Sequence, residues 1–159
     1  FLAMHIARGA MDADTLAAVT AAAGRYAALR AAIRMLSAGQ CSRRRLYEKL
    51  RARRIPDADA AFAVETAYAN GYIDEDWQLK SYIRTLTAQK QYGPRRLHAA
   101  LAAKGYRGDD IRRAMEENFG AEEIRAARRA FLEKKFGKTA PETREEAAAM
   151  RQALYKQGF

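Results

Sequence analysis

Gly71 to Tyr106 reads GYIDEDWQLKSYIRTLTAQKQYGPRRLHAALAAKGY, and this stretch decides the fold. Gly71 suits the left-handed residue that closes a helix. Asp74 is the expected N-cap of the next helix, with Glu75 and Asp76 favourably placed for its dipole. Leu79, Ile83 and Leu86 fall at i, i+4 and i+7 with Tyr82 beside them, the apolar stripe of an amphipathic helix. Gly93-Pro94 ends that helix and opens another, because proline fits the first helical position and not the interior. Leu97 and Leu101 carry the second stripe, which Lys104-Gly105 closes. Two such helices cannot bury their apolar faces alone, so further helices must stack on them.

Outward from this stretch the pattern recurs. A helix from an Asp14 cap through Ala38 is expected, bent or interrupted near Gly24, with Tyr26, Leu29, Ile33 and Leu36 as its stripe. Ser42 caps a helix over Arg43 to Arg54 that buries Leu46 and Leu50, and Asp57 caps a third over Ala58 to Asn70 with Ala60, Val64, Ala67 and Tyr68 inward. A shift of 51 positions lays Arg44-Arg45-Leu46 on Arg95-Arg96-Leu97, Leu50 on Leu101, Ile55 on Tyr106 and Tyr26 on Trp77. A helix over Asp110 to Phe119, with Ile111, Ala114, Met115 and Phe119 inward, then repeats that of Asp59 to Tyr68. A looser third copy follows: a helix over Ala121 to Phe136, a loop, a Thr143-x-x-Glu146 capping box and a last helix. That helix ends in Gln157-Gly158-Phe159, the counterpart of Lys104-Gly105-Tyr106.

The expected fold is therefore all-α, with tandem three-helix, helix-turn-helix-like repeats forming an elongated, curved array. Its divisions are an extension and helix start over residues 1–24, repeats over 25–73 and 74–120, and an incomplete third repeat over 121–159, ending after its second helix. Abundant alanine and sparse β-branched residues agree with helix. No stretch of the 159 residues reaches the roughly 18 consecutive apolar residues of a membrane span, and FLAMHIARGAM lacks the basic start of a secretory signal. The single Cys41 excludes an internal disulfide and suits a reducing cytoplasm.

The formal charge of +10 points to a polyanionic partner, nucleic acid or an acidic protein surface, although cations also serve solubility on helix exteriors. Their distribution favours a basic face: Cys41 to Asp57 holds seven cations against two acids, Ala58 to Asp74 three acids and no cation, and Glu75 to Gly108 seven cations against two acids. Arg43-Arg44-Arg45 and Arg95-Arg96 open the second helix of successive repeats, where the dipole prefers acids. Lys49, Arg53, Arg54 and Lys104 continue those faces. A locally unfavourable charge at equivalent positions suits a binding role. The asparagines and glutamines of a base-reading helix are scarce there, which weighs against a sequence-specific helix-turn-helix reader.

No phosphate loop, H-E-x-x-H pair or C-x-x-C pair is present. His5 and His98 lack partners at ligand spacing, and Cys41 has no histidine nearby in sequence. Asp74-Glu75-Asp76 reads as a cap with first-turn acids rather than a cation site. No catalytic constellation, cofactor site or metal site emerges.

Gly71-Tyr72-Ile73-Asp74-Glu75, Tyr82-Ile83-Arg84, Tyr92-Gly93-Pro94-Arg95-Arg96-Leu97 and Leu101-x-x-Lys104-Gly105-Tyr106 resemble the RecX family of recombination regulators. So do Leu36-Ser37, Ser42 and Leu46-x-x-Lys49-Leu50 in the first repeat, and Lys134-Lys135-Phe136-Gly137 with Gln157-Gly158-Phe159 in the third. The likeness runs from about Tyr26 to Phe159 and is most specific in the middle repeat. It departs at Gln78-Leu79, where the family usually has phenylalanine and alanine; Trp77 supplies an aromatic one position early. The resemblance implies a non-enzymatic protein that binds the RecA recombinase filament on single-stranded DNA and limits its strand exchange, ATPase and coprotease activities in DNA repair and the SOS response. On that reading it is a cytoplasmic monomer with no membrane partner, and Arg43, Arg44, Arg45, Lys49, Arg53, Arg54, Arg95, Arg96 and Lys104 meet the filament or its DNA. The alternative is a stand-alone basic helical module for nucleic acid, whose affinity falls steeply with salt.

Overall fold

The structure is a computed structural model that describes residues 12–138 and 140–159. The expectations for the apolar N-terminal run and His5 lie outside those residues. The described residues form eight α-helices and no strand, in two compact units, Phe1–Asp74 and Glu75–Phe159.

The first unit holds α1 (Ala13–Ala38), α2 (Arg43–Ala52) and α3 (Asp57–Ala69). Its first cap is Asp12, not Asp14: the Asp12 carboxylate accepts from the Thr15 amide at 2.7 Å and from the Thr15 hydroxyl. Those bonds, the backbone one foremost, hold the Asp12 carboxyl below its ordinary value. Asp14 becomes a first-turn acid. The helix also runs without a break through Gly24. A Cβ there would lie 2.7 Å from Asp59 Oδ2, so this glycine admits a side chain of α3 rather than ending α1.

The stripe of α1 differs from the expected one. Ala28, Ala32, Met35 and Leu36 are buried, Leu29 and Ile33 are half-buried, and Tyr26 is 57% exposed. Alanine, the smallest apolar side chain, takes the centre because α3 opposes it with Ala60, Ala63 and Ala67, which lets the two backbones approach closely. Leu46 and Leu50 of α2, Cys41, Val64 and Ile73 complete this core. Asp57 stands inside α3, with Pro56 at the N-cap. Its carboxylate instead accepts the Tyr47 hydroxyl and pairs with Arg51 at 3.3 Å. The bond to Asp57 pushes the Tyr47 phenol above its ordinary value. Tyr68 is exposed, against expectation.

The second unit holds α4 (Glu75–Lys90), α5 (Pro94–Ala103), α6 (Gly108–Asn118), α7 (Ala121–Phe136) and α8 (Arg144–Gln157). Helix α6 starts two residues before the expected Asp110. Leu79, Ile83, Leu97, Leu101, Tyr106, Ile111, Ala114 and Phe119 form its core, and Ala127 of α7 shares it. These positions match the first unit at a shift of 51: Ala28 answers Leu79, Ala32 answers Ile83, Leu46 and Leu50 answer Leu97 and Leu101, and Ala60 answers Ile111. The fold is thus a tandem of three-helix repeats. Buried Gln78 accepts from the Tyr106 hydroxyl at 2.7 Å, so the polar residue at the departing family position has a partner in the core.

The second helices share one closure. The amides of Ile55, Tyr106 and Phe159 bond to the carbonyls of Leu50, Leu101 and Leu154, five residues back, at 3.3, 3.4 and 3.0 Å. Each follows a left-handed residue, the geometry of a Schellman ending. Glycine fills that place at Gly105 (φ +89°) and Gly158 (φ +96°), but in the first repeat it is Arg54, at φ +61°.

Candidate interaction surface

The N-terminus of α2 is set by Ser42, a buried N-cap whose hydroxyl accepts the Arg45 amide at 3.3 Å. That register sends Arg43 to one partner and Arg44 and Arg45 together to another. Arg43 is half-buried and lies over the Tyr68 ring, 4.1 Å from its centroid, a cation–π contact for that exposed ring. Arg44 Nε and Arg45 Nη1 both donate to Glu48, at 3.1 and 3.0 Å. These bonds, Arg45's first, hold the Glu48 carboxyl below the usual carboxylate range. One carboxylate between two guanidiniums leaves one positive charge in excess, and both arginines are exposed. Lys49 and Arg53 turn towards a groove against α1, where Arg34 joins them. Arg54 occupies the left-handed ending.

The equivalent pair in the second unit behaves otherwise. Arg95 Nη2 donates to the Phe159 carbonyl oxygen at 2.7 Å, and its guanidinium lies 4.4 Å from the Tyr155 ring centroid. Arg96 Nη1 donates to Gln157 Oε1 at 2.7 Å and covers the Tyr92 ring. Both arginines, expected to meet the filament or its DNA, are off the apolar stripe and bond to the end of α8. The backbones meet there as well. The Gly93 amide donates to the Gln157 carbonyl at 2.9 Å and the Arg95 amide to the Gly158 carbonyl at 3.1 Å. Gln157 Nε2 donates to the carbonyls of Lys90 and Gln91, at 2.5 and 3.0 Å. A Cβ on Gly93 would lie 2.5 Å from the Gly158 oxygen and from the Phe159 nitrogen. Lys104 sits over the Tyr82 ring at 4.2 Å.

Arg34 was missed in the sequence because its repeat equivalent is Thr85, so the comparison that singled out the α2 and α5 arginines carried no signal for it. Tyr26 and Trp77, equivalent across the repeats, are both exposed, at 57% and 62%. Of the acids at the start of α4, Asp76 accepts from Arg113 at 3.0 Å, which raises the Arg113 guanidinium above its ordinary value. Among the described residues no three histidine, cysteine or acidic side chains converge as metal ligands, and Cys41 is buried in the core. No described helix is long and apolar enough to cross a membrane.

The geometry defines the class as an all-helical repeat protein with exposed cations, some on the α2 surface and some bonded across the junction of α5 with the end of α8. No family model matches the chain. The regulatory protein RecX of Thermus thermophilus is 32% identical over 102 residues, 64% of this chain and 70% of that protein. A crystal structure of regulatory protein RecX superposes with a TM-score of 0.82 at 20% identity, covering 99% of this chain and 78% of the other. The crystal structure of RecX from Lactobacillus salivarius gives a TM-score of 0.75 at 19% identity, over 87% and 90% of the two chains. The chain belongs to the RecX family.

Proposed function

We propose that this chain is a non-enzymatic regulator that binds the RecA recombinase filament on single-stranded DNA and limits its ATPase, strand-exchange and coprotease activities. The observation that carries the reading is the relationship to the Thermus regulatory protein, reinforced by the repeat fold. A tandem of similar small units suits a partner that itself repeats. The contact surface is drawn first from α2: Arg43, Arg44, Arg45, Lys49 and Arg53. The cations there, all but half-buried Arg43 exposed, would meet acidic recombinase side chains or the DNA backbone. Arg95 and Arg96 contribute by holding α8 in place, and Lys104 through its exposed face. The protein would act in the cytoplasm as a monomer.

The test is titration of the full chain into a recombinase ATPase assay on single-stranded DNA, with a parallel titration into labelled DNA without recombinase. Inhibition at concentrations too low for free-DNA binding supports the regulator. Tight, steeply salt-dependent DNA binding without inhibition would replace it by the nucleic-acid module. The double variant R44Q/R45Q should inhibit more weakly while staying folded, losing only the small stability of its exposed Glu48 pairs. Undiminished inhibition would remove the α2 surface from the contact.

A further inference from the structure

Arg34 on α1 and Lys49 and Arg53 at the end of α2 line a groove of about 470 Å³ in the first unit, together with the apolar Met35, Ala38 and Ala52. No acid lines it. Among the described residues these three cations have no carboxylate partner, whereas their neighbours Arg44, Arg45 and Arg51 are paired with Glu48 or Asp57. Charge of one sign around an apolar depression is therefore left uncompensated.

Folding does not require it. Lys49 and Arg53 suit the negative end of α2, yet α5, the equivalent helix, forms with no cation in its last turn. At a shift of 51 the positions of Arg34, Lys49 and Arg53 hold Thr85, Ala100 and Lys104, so two of the three cations are dispensable to the repeat. We infer that the α1–α2 groove is a docking site for an acidic peptide segment of a protein partner, with one large apolar side chain seated on Met35, Ala38 and Ala52 and flanking carboxylates on Arg34, Lys49 and Arg53. An apolar lining beside the cations favours a peptide over a sugar-phosphate backbone, which has charge but no large apolar side chain to bury. The thioether of Met35 adapts to leucine, methionine or phenylalanine alike. The inference rests on the reading that this chain works by binding a partner, and it names the chemistry of one contact.

The experiment uses the full chain with no recombinase. A fluorescein-labelled peptide bearing one leucine flanked by glutamates and aspartates is titrated by anisotropy, and the Met35 methyl group is followed by NMR, assigned with M35L. The acidic peptide should bind and move the Met35 methyl. R34Q/K49Q/R53Q should weaken it about tenfold, and K80Q/R107Q/R112Q, which removes as much charge elsewhere, much less. The proposal falls if the Met35 methyl does not move, if a glutamine- and asparagine-substituted peptide binds equally well, or if oligothymidylate moves Met35 and the peptide does not. The recombinase assay is run separately on R34Q/K49Q/R53Q. Peptide binding in the groove with inhibition unaffected by the triple variant would uphold the site and place it outside the inhibitory contact. Inhibition by a parent chain that ignores the peptide would overturn the groove and leave the regulator reading standing.

Discussion

Gly93→Ala tests the junction between α5 and the end of α8. The backbone at Gly93 is extended, φ −75° and ψ 169°, a conformation open to any residue, so only space is at issue. The added methyl would stand 2.5 Å from main-chain atoms of Gly158 and Phe159, which cannot swing aside as a side-chain tip can. Two responses compete. Releasing α8 forfeits two main-chain bonds and those of the buried Gln157 side chain, at about 1 kcal/mol each, with little added for exposed Arg95. That totals about 4–5 kcal/mol. Straining the contact costs about 1–3 kcal/mol, the usual range for overpacking. The cheaper response sets the loss, so about 2 kcal/mol is expected. The assay is hydrogen exchange at Leu154 to Phe159, where protection set by docking should fall about thirtyfold. Alanine is also a poorer N-cap than glycine, by up to about 1 kcal/mol, a loss that would fall on α5. Gly93→Ser separates the two causes, since serine is a good cap and stands at the equivalent Ser42, yet carries the same Cβ. Unchanged exchange at the end of α8 in G93A, or full rescue by G93S, would refute the reasoning. Gly39→Ala, where a Cβ meets nothing within 4 Å, is the neutral control.

Arg54→Gly should raise stability by about 1 kcal/mol in chemical denaturation, because it relieves a left-handed non-glycine residue; an unchanged or lower midpoint contradicts this. Gln78→Leu and Tyr106→Phe should each cost about 1–3 kcal/mol by leaving a buried polar partner short of a bond, and the double variant less than their sum; strict additivity would show that the pair is not coupled. The Glu48 carboxyl, held down by Arg45 and then Arg44, should titrate in carboxyl NMR below the ordinary glutamate range. A depressed folded value means this contribution to stability is present above the unfolded glutamate pKa, near 4.3, and is lost as pH falls through the folded value. R44Q/R45Q should return the titration to the ordinary range; no return would mean another group sets it.

Much of this was legible because repeats amplify weak signals. Leu46 and Leu97, Leu50 and Leu101, Ile55 and Tyr106 announced both the helices and their phase, and Ser42, Pro94 and Thr143 act as local chemistry predicts. What sequence reasoning missed was set by packing. Tyr26 offers far more apolar area than Ala28, but the approach of α3 favours the smaller side chain. Gly24 carries the composition of a helix break, and only the Asp59 side chain across from it shows why it sits mid-helix. Arg44-Arg45 and Arg95-Arg96 are indistinguishable as letters. Their partners diverge because Glu48 is replaced by Ala99, and because the end of α8, some sixty residues away in sequence, accepts hydrogen bonds from the second pair.

The Gly93–Gly158 contact joins main chain to main chain. A seam of this kind demands two absent side chains and otherwise ignores the identity of its surroundings. Flanking residues are then free to drift while the geometry persists, in keeping with a superposition at a TM-score of 0.82 on only 20% shared residues.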